Sequence, residues 1–133
     1  MAARQVDGLL IERTAGELLV LKQSTYEAHA LNETAALVFD LCDGATSRAT
    51  MATEVARRTG LPTDESIVDL ALTELVDAGL IVMDETGRPG LTRRSLIRRL
   101  ALPVAAVAML PVVETILVPP ISSGQSMPPL PPP

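Results

Sequence analysis

Few side chains in this sequence are spaced for chemistry. Asp40 and Asp43 stand three apart near the end of an apolar helical stretch. Residues at that spacing share a helix face, and two carboxylates there suit a general acid/base pair. Gly44 follows at once, so a solvated or capping role reads better. The chain has one histidine, His29, and one cysteine, Cys42. A zinc site needs about four ligands, and a lone thiol excludes an internal disulfide framework. His29 therefore reads as a strand residue and no ligand, Cys42 as a buried structural thiol. There is no glycine-rich phosphate loop, no nucleophile elbow and no paired His/carboxylate spacing. The expectation is a binding protein, not an enzyme, with no cofactor and no metal.

Charge narrows the partner. Residues 1–90 carry seven Lys and Arg against fifteen Asp and Glu, whereas residues 91–133 carry four arginines against Glu114 alone. Such asymmetry marks two parts with different surroundings. A winged-helix regulator is the alternative class, with the second and third helices as a helix-turn-helix. No Lys or Arg lies between Gly60 and Gly87, and the would-be recognition helix carries Asp64, Glu65, Asp69, Glu74 and Asp77. Nucleic acid needs cations to replace phosphate counterions, so no nucleic-acid partner is expected. Met1–Arg13 holds four charges and no long apolar run. It is no signal peptide, and the N-terminal part is expected in the cytoplasm.

The elements follow from pattern. Gly8–Arg13 and Glu17–Lys22 read as a hairpin about Ala15-Gly16. Tyr26–Ala30 reads as a short third strand, with Tyr26, Ala28 and Ala30 on one face and Glu27 and His29 on the other. Asn32 caps a first helix that ends at Asp43-Gly44, Ser47 a second that ends at Gly60, and Thr63 a third that runs to about Ala78. Leu80–Met83 forms a short extended piece. The expected core includes Val38, Leu41, Met51, Val55, Leu72 and Leu75, closing within residues 6–83. The fold class is α+β: a three-stranded antiparallel sheet followed by three helices, with a largely separate C-terminal tail. In domain terms, 1–83 is the folded unit, 84–90 a linker, and 91–133 an arginine-flanked hydrophobic segment with a proline-rich end.

At this point Leu31-Asn32-Glu33-Thr34-Ala35-Ala36, then Leu41-Cys42-Asp43-Gly44, then Glu74-Leu75 and Ala78-Gly79-Leu80 resemble the PqqD family. That family is also called the RiPP recognition element. The resemblance covers roughly residues 6–82. It implies a small winged-helix-like domain of three strands and three helices. It also implies a peptide chaperone that binds the leader of a ribosomally made precursor peptide and presents it to a modifying enzyme, often a radical-SAM protein.

The residues support a place for such a peptide. A third strand at a sheet edge has unpaired N–H and C=O groups, to which an extended peptide can add. Simple protection from pairing is the other reading of an edge. On a helical wheel the third helix is apolar over far more than one stripe. Its extra face lines a groove beside the strand, or is covered by the first helix, the hairpin or a dimer partner. The resemblance favours the groove. The expected peptide-binding residues are Tyr26, Glu27, Ala28, His29 and Ala30 on the strand, with Ile67, Leu70, Ala71 and Glu74 on the helix.

The tail admits several readings. Thr92–Arg99 resembles a twin-arginine export motif, and a 14-residue apolar run from Leu100 to Val113 follows. That run is short for a span of about 20 residues, and export signals are N-terminal. Contact with an anionic membrane through residues 91–121, docking to a partner enzyme, and a substrate role are all open. So are a flexible tail and packing on the domain. Met127–Pro133 favours an extended polyproline II end.

Overall fold

The computed structural model describes residues 3–4, 8–23, 25–82 and 91–117; the expected linker 84–90 and the proline-rich end lie outside these. A two-residue strand, β1 (Ala3–Arg4), comes first. The hairpin is β2 (Leu9–Thr14) and β3 (Glu17–Lys22), joined at Ala15-Gly16 in the register Thr14↔Glu17. Gly16 takes φ 78, a left-handed conformation that glycine adopts at no steric cost. The third strand, β4 (Glu27–Asn32), pairs antiparallel with β3.

Three helices follow. Asn32 ends β4 and caps α1 (Glu33–Asp40), its side chain accepting from the Ala35 N–H. Ser47 caps α2 (Arg48–Thr59), which ends at Gly60 in the left-handed region. The third helix, α3 (Glu65–Asp77), is capped by Asp64 and not by Thr63. The Asp64 carboxylate accepts from the Ser66 N–H at 2.8 Å, and a negative charge suits this end of the helix dipole better than a hydroxyl. The first helix also stops earlier than Asp43-Gly44. Leu41 is its C-cap and is only partly buried, so it does not join the core as expected. After α3, β5 (Ile81–Val82) pairs antiparallel with β1.

The expectation of a largely separate tail fails for residues 91–117. They form α4 (Arg93–Leu100), the short α5 (Val104–Val107) and β6 (Val113–Leu117). The last of these completes a four-stranded sheet in the order β2-β3-β4-β6. Leu96 and Leu110 are fully buried in the same core as Leu18, Val38, Phe39, Met51, Leu72 and Leu75. The core therefore does not close on residues 6–83. The α+β class stands, with the main sheet one strand wider than the three expected and with β1 and β5 forming a second, two-stranded sheet. The physical reason is economy of apolar surface: α3 is apolar over more than one stripe, and α4 packs on it in addition to α1 and α2.

Leu72 lies at the centre of this packing, 2% exposed. Leu72→Ala should cost about 2–5 kcal/mol, read as a lowered urea midpoint with an unchanged slope. An unchanged midpoint would show that the side chain does not lie in the core.

Candidate functional site

The expected strand residues lie on β4 with one exception. Tyr26 falls in the connection between β3 and β4, with φ 56, and is about half exposed. Its N–H donates to the Lys22 carbonyl at 2.9 Å. A tight connection commonly needs one left-handed residue before the chain re-enters the strand, and Tyr26 supplies it. Glu27, Ala28, His29 and Ala30 are in the ladder. His29 and Leu31 face the core at 1% and 0% exposure, while Ala28 and Ala30 are partly exposed on the other face.

The outer edge of β4 is occupied. Antiparallel β6 lies along it in the register Glu27↔Leu117, Ala28↔Ile116, His29↔Thr115, Ala30↔Glu114 and Leu31↔Val113. The Asn32 N–H donates to the Val112 carbonyl at 3.1 Å. Main-chain groups alternate in direction along a strand, so those of Ala30 and Ala28 also point to this edge. This is the strand-addition geometry by which sheets take extended peptides, here filled by the chain itself.

The helix side of the site is covered as well. Around α3, Ile67, Leu70, Ala71 and Glu74 share an arc with Ser66, while Val68, Leu72 and Leu75 form the opposite arc. Ile67, Leu70 and Ala71 are buried. Helix α4 packs against α3. Arg99 donates to the Ser66 hydroxyl and lies 3.9 Å from the Asp64 carboxylate, at the start of α3. At its far end, the positive charge of Arg93 acts on Glu74. The two helices thus run antiparallel along the arc expected to hold a peptide. Burial pushes the Glu74 carboxyl above its ordinary pKa, against the opposing influence of Arg93 and with a smaller push from Asp77. One Glu74 oxygen is buried with no hydrogen-bond partner.

Sequence reasoning missed the residues that join the two halves. The Asn32 side chain accepts from Ala35 N–H at 3.0 Å and from Val112 N–H at 3.1 Å, and donates to the Leu110 carbonyl at 2.8 Å. Thr34, fully buried, donates to the Met109 carbonyl. Arg93 donates to the carbonyls of Val107 at 2.8 Å, Pro111 at 3.2 Å and Leu110 at 3.5 Å. His29 Nδ1 lies 2.9 Å from the Thr115 hydroxyl. The only sequence signal for the clamp was the Asn-Glu-Thr run, which a helix cap already explained. Asp40 and Asp43, by contrast, are spoken for separately. Asp40 takes a two-pronged bond from Arg13 at 2.6 and 3.0 Å. Asp43 accepts from the N–H groups of Ala45 and Thr46, which lower its pKa and build the turn into α2.

A family model described as coenzyme PQQ synthesis protein D (PqqD) matches residues 17–81. Residues 17–81 are a PqqD-family domain. The PqqD family consists of non-catalytic, peptide-binding accessory proteins. The match spans β3 through α3 and reaches β5, and so contains β4, Asn32, Thr34 and the whole of α3. Segment 91–117 lies outside it. No curated protein and no solved structure matches the chain. Among the described residues no helix is long and apolar enough to cross a membrane.

Two outcomes follow from this geometry. Asn32→Ala removes both cap and clamp, and loss of an Asn cap costs about 0.5–2 kcal/mol. Asn32→Asp keeps both acceptor roles but sets a carboxylate against the Leu110 carbonyl. It should therefore hold α1 while loosening residues 109–113, seen as faster amide hydrogen exchange there. Equal exchange in wild type and Asn32→Asp would show that the Nδ2 contact is idle.

The second outcome concerns pH. Burial holds the His29 pKa below its ordinary 6.5, with Glu27 opposing and Lys22 adding to the shift. Its Nε2 has no partner, and protonation adds a donor that nothing receives. The unfolded chain binds the proton more readily, so stability present above pH 6.5 is lost as pH falls below it. The raised pKa of Glu74 has the opposite sign: protonating it at more acidic pH relieves a cost. Urea midpoints of wild type should drop on the acid side of 6.5, and those of His29→Gln should drop less. Parallel curves would assign the slope to another group.

Proposed function

We propose that this chain binds the leader of a ribosomally synthesised precursor peptide and presents it to a modifying enzyme. The peptide adds as an antiparallel strand on β4, with apolar side chains against Ile67, Leu70 and Ala71 and near Glu74. One observation carries the reading. The β4 edge, which lies within the residues that the family model matches, already holds an extended segment in this mode, β6. Main-chain pairing supplies affinity with little demand on sequence, and the α3 face supplies selectivity. A radical-SAM enzyme is the partner class that the family resemblance favours.

The regulator reading fits less well. A recognition helix must reach a groove with its side chains, whereas α3 carries eight buried residues of thirteen and lies against α4. Contact with an anionic membrane also finds less support. Leu96 and Leu110 of the apolar tail are turned into the core, although Arg94 and Arg98 are exposed.

The test uses full-length protein and the leader of a precursor encoded beside it, carrying a benzophenone at successive positions. Cross-links should collect on Ala28, Ala30, Leu70 and Ala71. Ala28→Pro, which removes a donor from this edge, should abolish those on β4. Cross-links on the other sheet edge, at Leu10 and Ile11, would place the peptide elsewhere.

A further inference from the structure

The β4 edge and the α3 face proposed for the peptide are both occupied by the chain itself. β6 takes the β4 edge, Leu96 and Leu110 enter the core beside α3, and Asn32 and Thr34 hold the main chain of residues 109–112. We propose that residues 91–117 are a tethered surrogate ligand: a built-in competitor that a peptide in trans must displace. The proposal rests on the leader-binding reading and adds regulation to the same site.

Three observations carry it. First, the segment follows the matched domain in the chain. Only residues 83–90 separate it from β5, so it is tethered close to the site. A tether of so few residues gives an effective concentration on the order of mM. A free peptide of equal intrinsic affinity, at micromolar concentration, is then outcompeted by roughly 10²–10³-fold. Second, the clamp on the segment is made to its main chain. The Asn32 and Thr34 bonds go to carbonyls of Leu110 and Met109 and to the N–H of Val112, and any extended peptide offers the same groups. Third, docking is built with releasable parts. Arg93 ties the turn at residues 107–111 through three carbonyls without belonging to the core, and Arg99 is bound to Ser66 and Asp64 while its side chain stays 53% exposed.

The docked segment also describes its replacement. It is a short amphipathic helix with a leucine inward and arginines at both ends, then a turn, then a five-residue strand with a hydroxyl opposite His29. A displacing peptide of this class would repeat the inward leucine and the strand.

The experiment uses the full-length chain and one defined probe, a fluorescein-labelled synthetic peptide of residues 91–117, read by anisotropy. Wild type should bind weakly. Arg93→Ala, which frees the turn without touching the core, should bind at least tenfold more tightly, as should Leu110→Asp. Circular dichroism checks that both variants remain folded. A third variant, Ala30→Cys with Glu114→Cys, joins directly opposed residues. Cα atoms of a hydrogen-bonded antiparallel pair lie about 5.5 Å apart, within disulfide range. Oxidised, this variant should not bind the probe; reduced, it should bind as wild type does or better. If Arg93→Ala and Leu110→Asp bind no more tightly than wild type while oxidation still abolishes binding, the tail does not compete, and the leader site stands without it. If the oxidised form binds as well as the reduced one, or no form binds, the β4 site itself is overturned and the competitor with it.

Discussion

The edge of β4 sets the terms for the rest of the molecule. This strand is buried on its inner face through His29 and Leu31, so its outer main-chain groups run beside the core. Backbone groups in such a place must find partners, because each one left unpaired costs free energy comparable to a lost hydrogen bond. β2 and β3 cannot help, since β3 already pairs with the other side of β4. The partner must come from outside the β2–β3 hairpin, and it must bring apolar side chains for the second face of α3. Residues 91–117 do both. A strand alone would leave α3 bare, and a helix alone would leave β4 unpaired.

The arginine string gains a physical division of labour from this arrangement. Arg93 and Arg99 stand six apart at opposite ends of α4 and each bonds to a neighbouring element, Arg93 part-buried and Arg99 still exposed. One gathers the carbonyls of residues 107–111, and the other reaches the start of α3. Arg94 and Arg98, four apart, share the outward face and stay exposed. The helix is fixed at its start by a reciprocal Thr92–Ser95 capping box, worth about 0.5–2 kcal/mol. A string that resembles an export signal is here, in part, a docking device.

The sequence was legible where local rules dominate. The hairpin about Ala15-Gly16, the Asn32 and Ser47 caps, the Gly60 stop, and the burial of Val38, Met51, Val55, Leu72 and Leu75 all follow from turn chemistry and periodicity. The three-plus-three order and the surplus apolar face of α3 were equally readable. What escaped was long-range. Pro103 and Pro111 break the apolar run, so residues 100–117 carry neither a helix period nor a clean alternation. Val113–Leu117 reads as a strand only once β4 is present to pair with it. Tyr26 misled because an aromatic residue favours strands, and nothing local says that the loop before β4 needs a left-handed residue. Thr34 and Asn32 were hidden by their own sufficiency: a cap and a helix residue need no second explanation.

The same bonds that close this domain bear on its selectivity. Every contact that Asn32 and Thr34 make to the docked segment goes to its backbone, and so does the β4 ladder. None of these groups can tell one extended segment from another, because all offer the same N–H and C=O pattern. Discrimination must therefore come from side chains, and the structure offers two places for it. One is the apolar ground beside Ile67, Leu70 and Ala71, where a leucine fits at low cost. The other is the pair of buried polar groups without full partners, His29 Nε2 and Glu74 Oε2. A buried polar atom left unpaired costs about 1–3 kcal/mol. A peptide bringing a suitable partner to either atom would gain what the chain's own segment does not supply. On the proposed leader-binding function, that asymmetry would let an edge closed by the protein's own strand favour a foreign one.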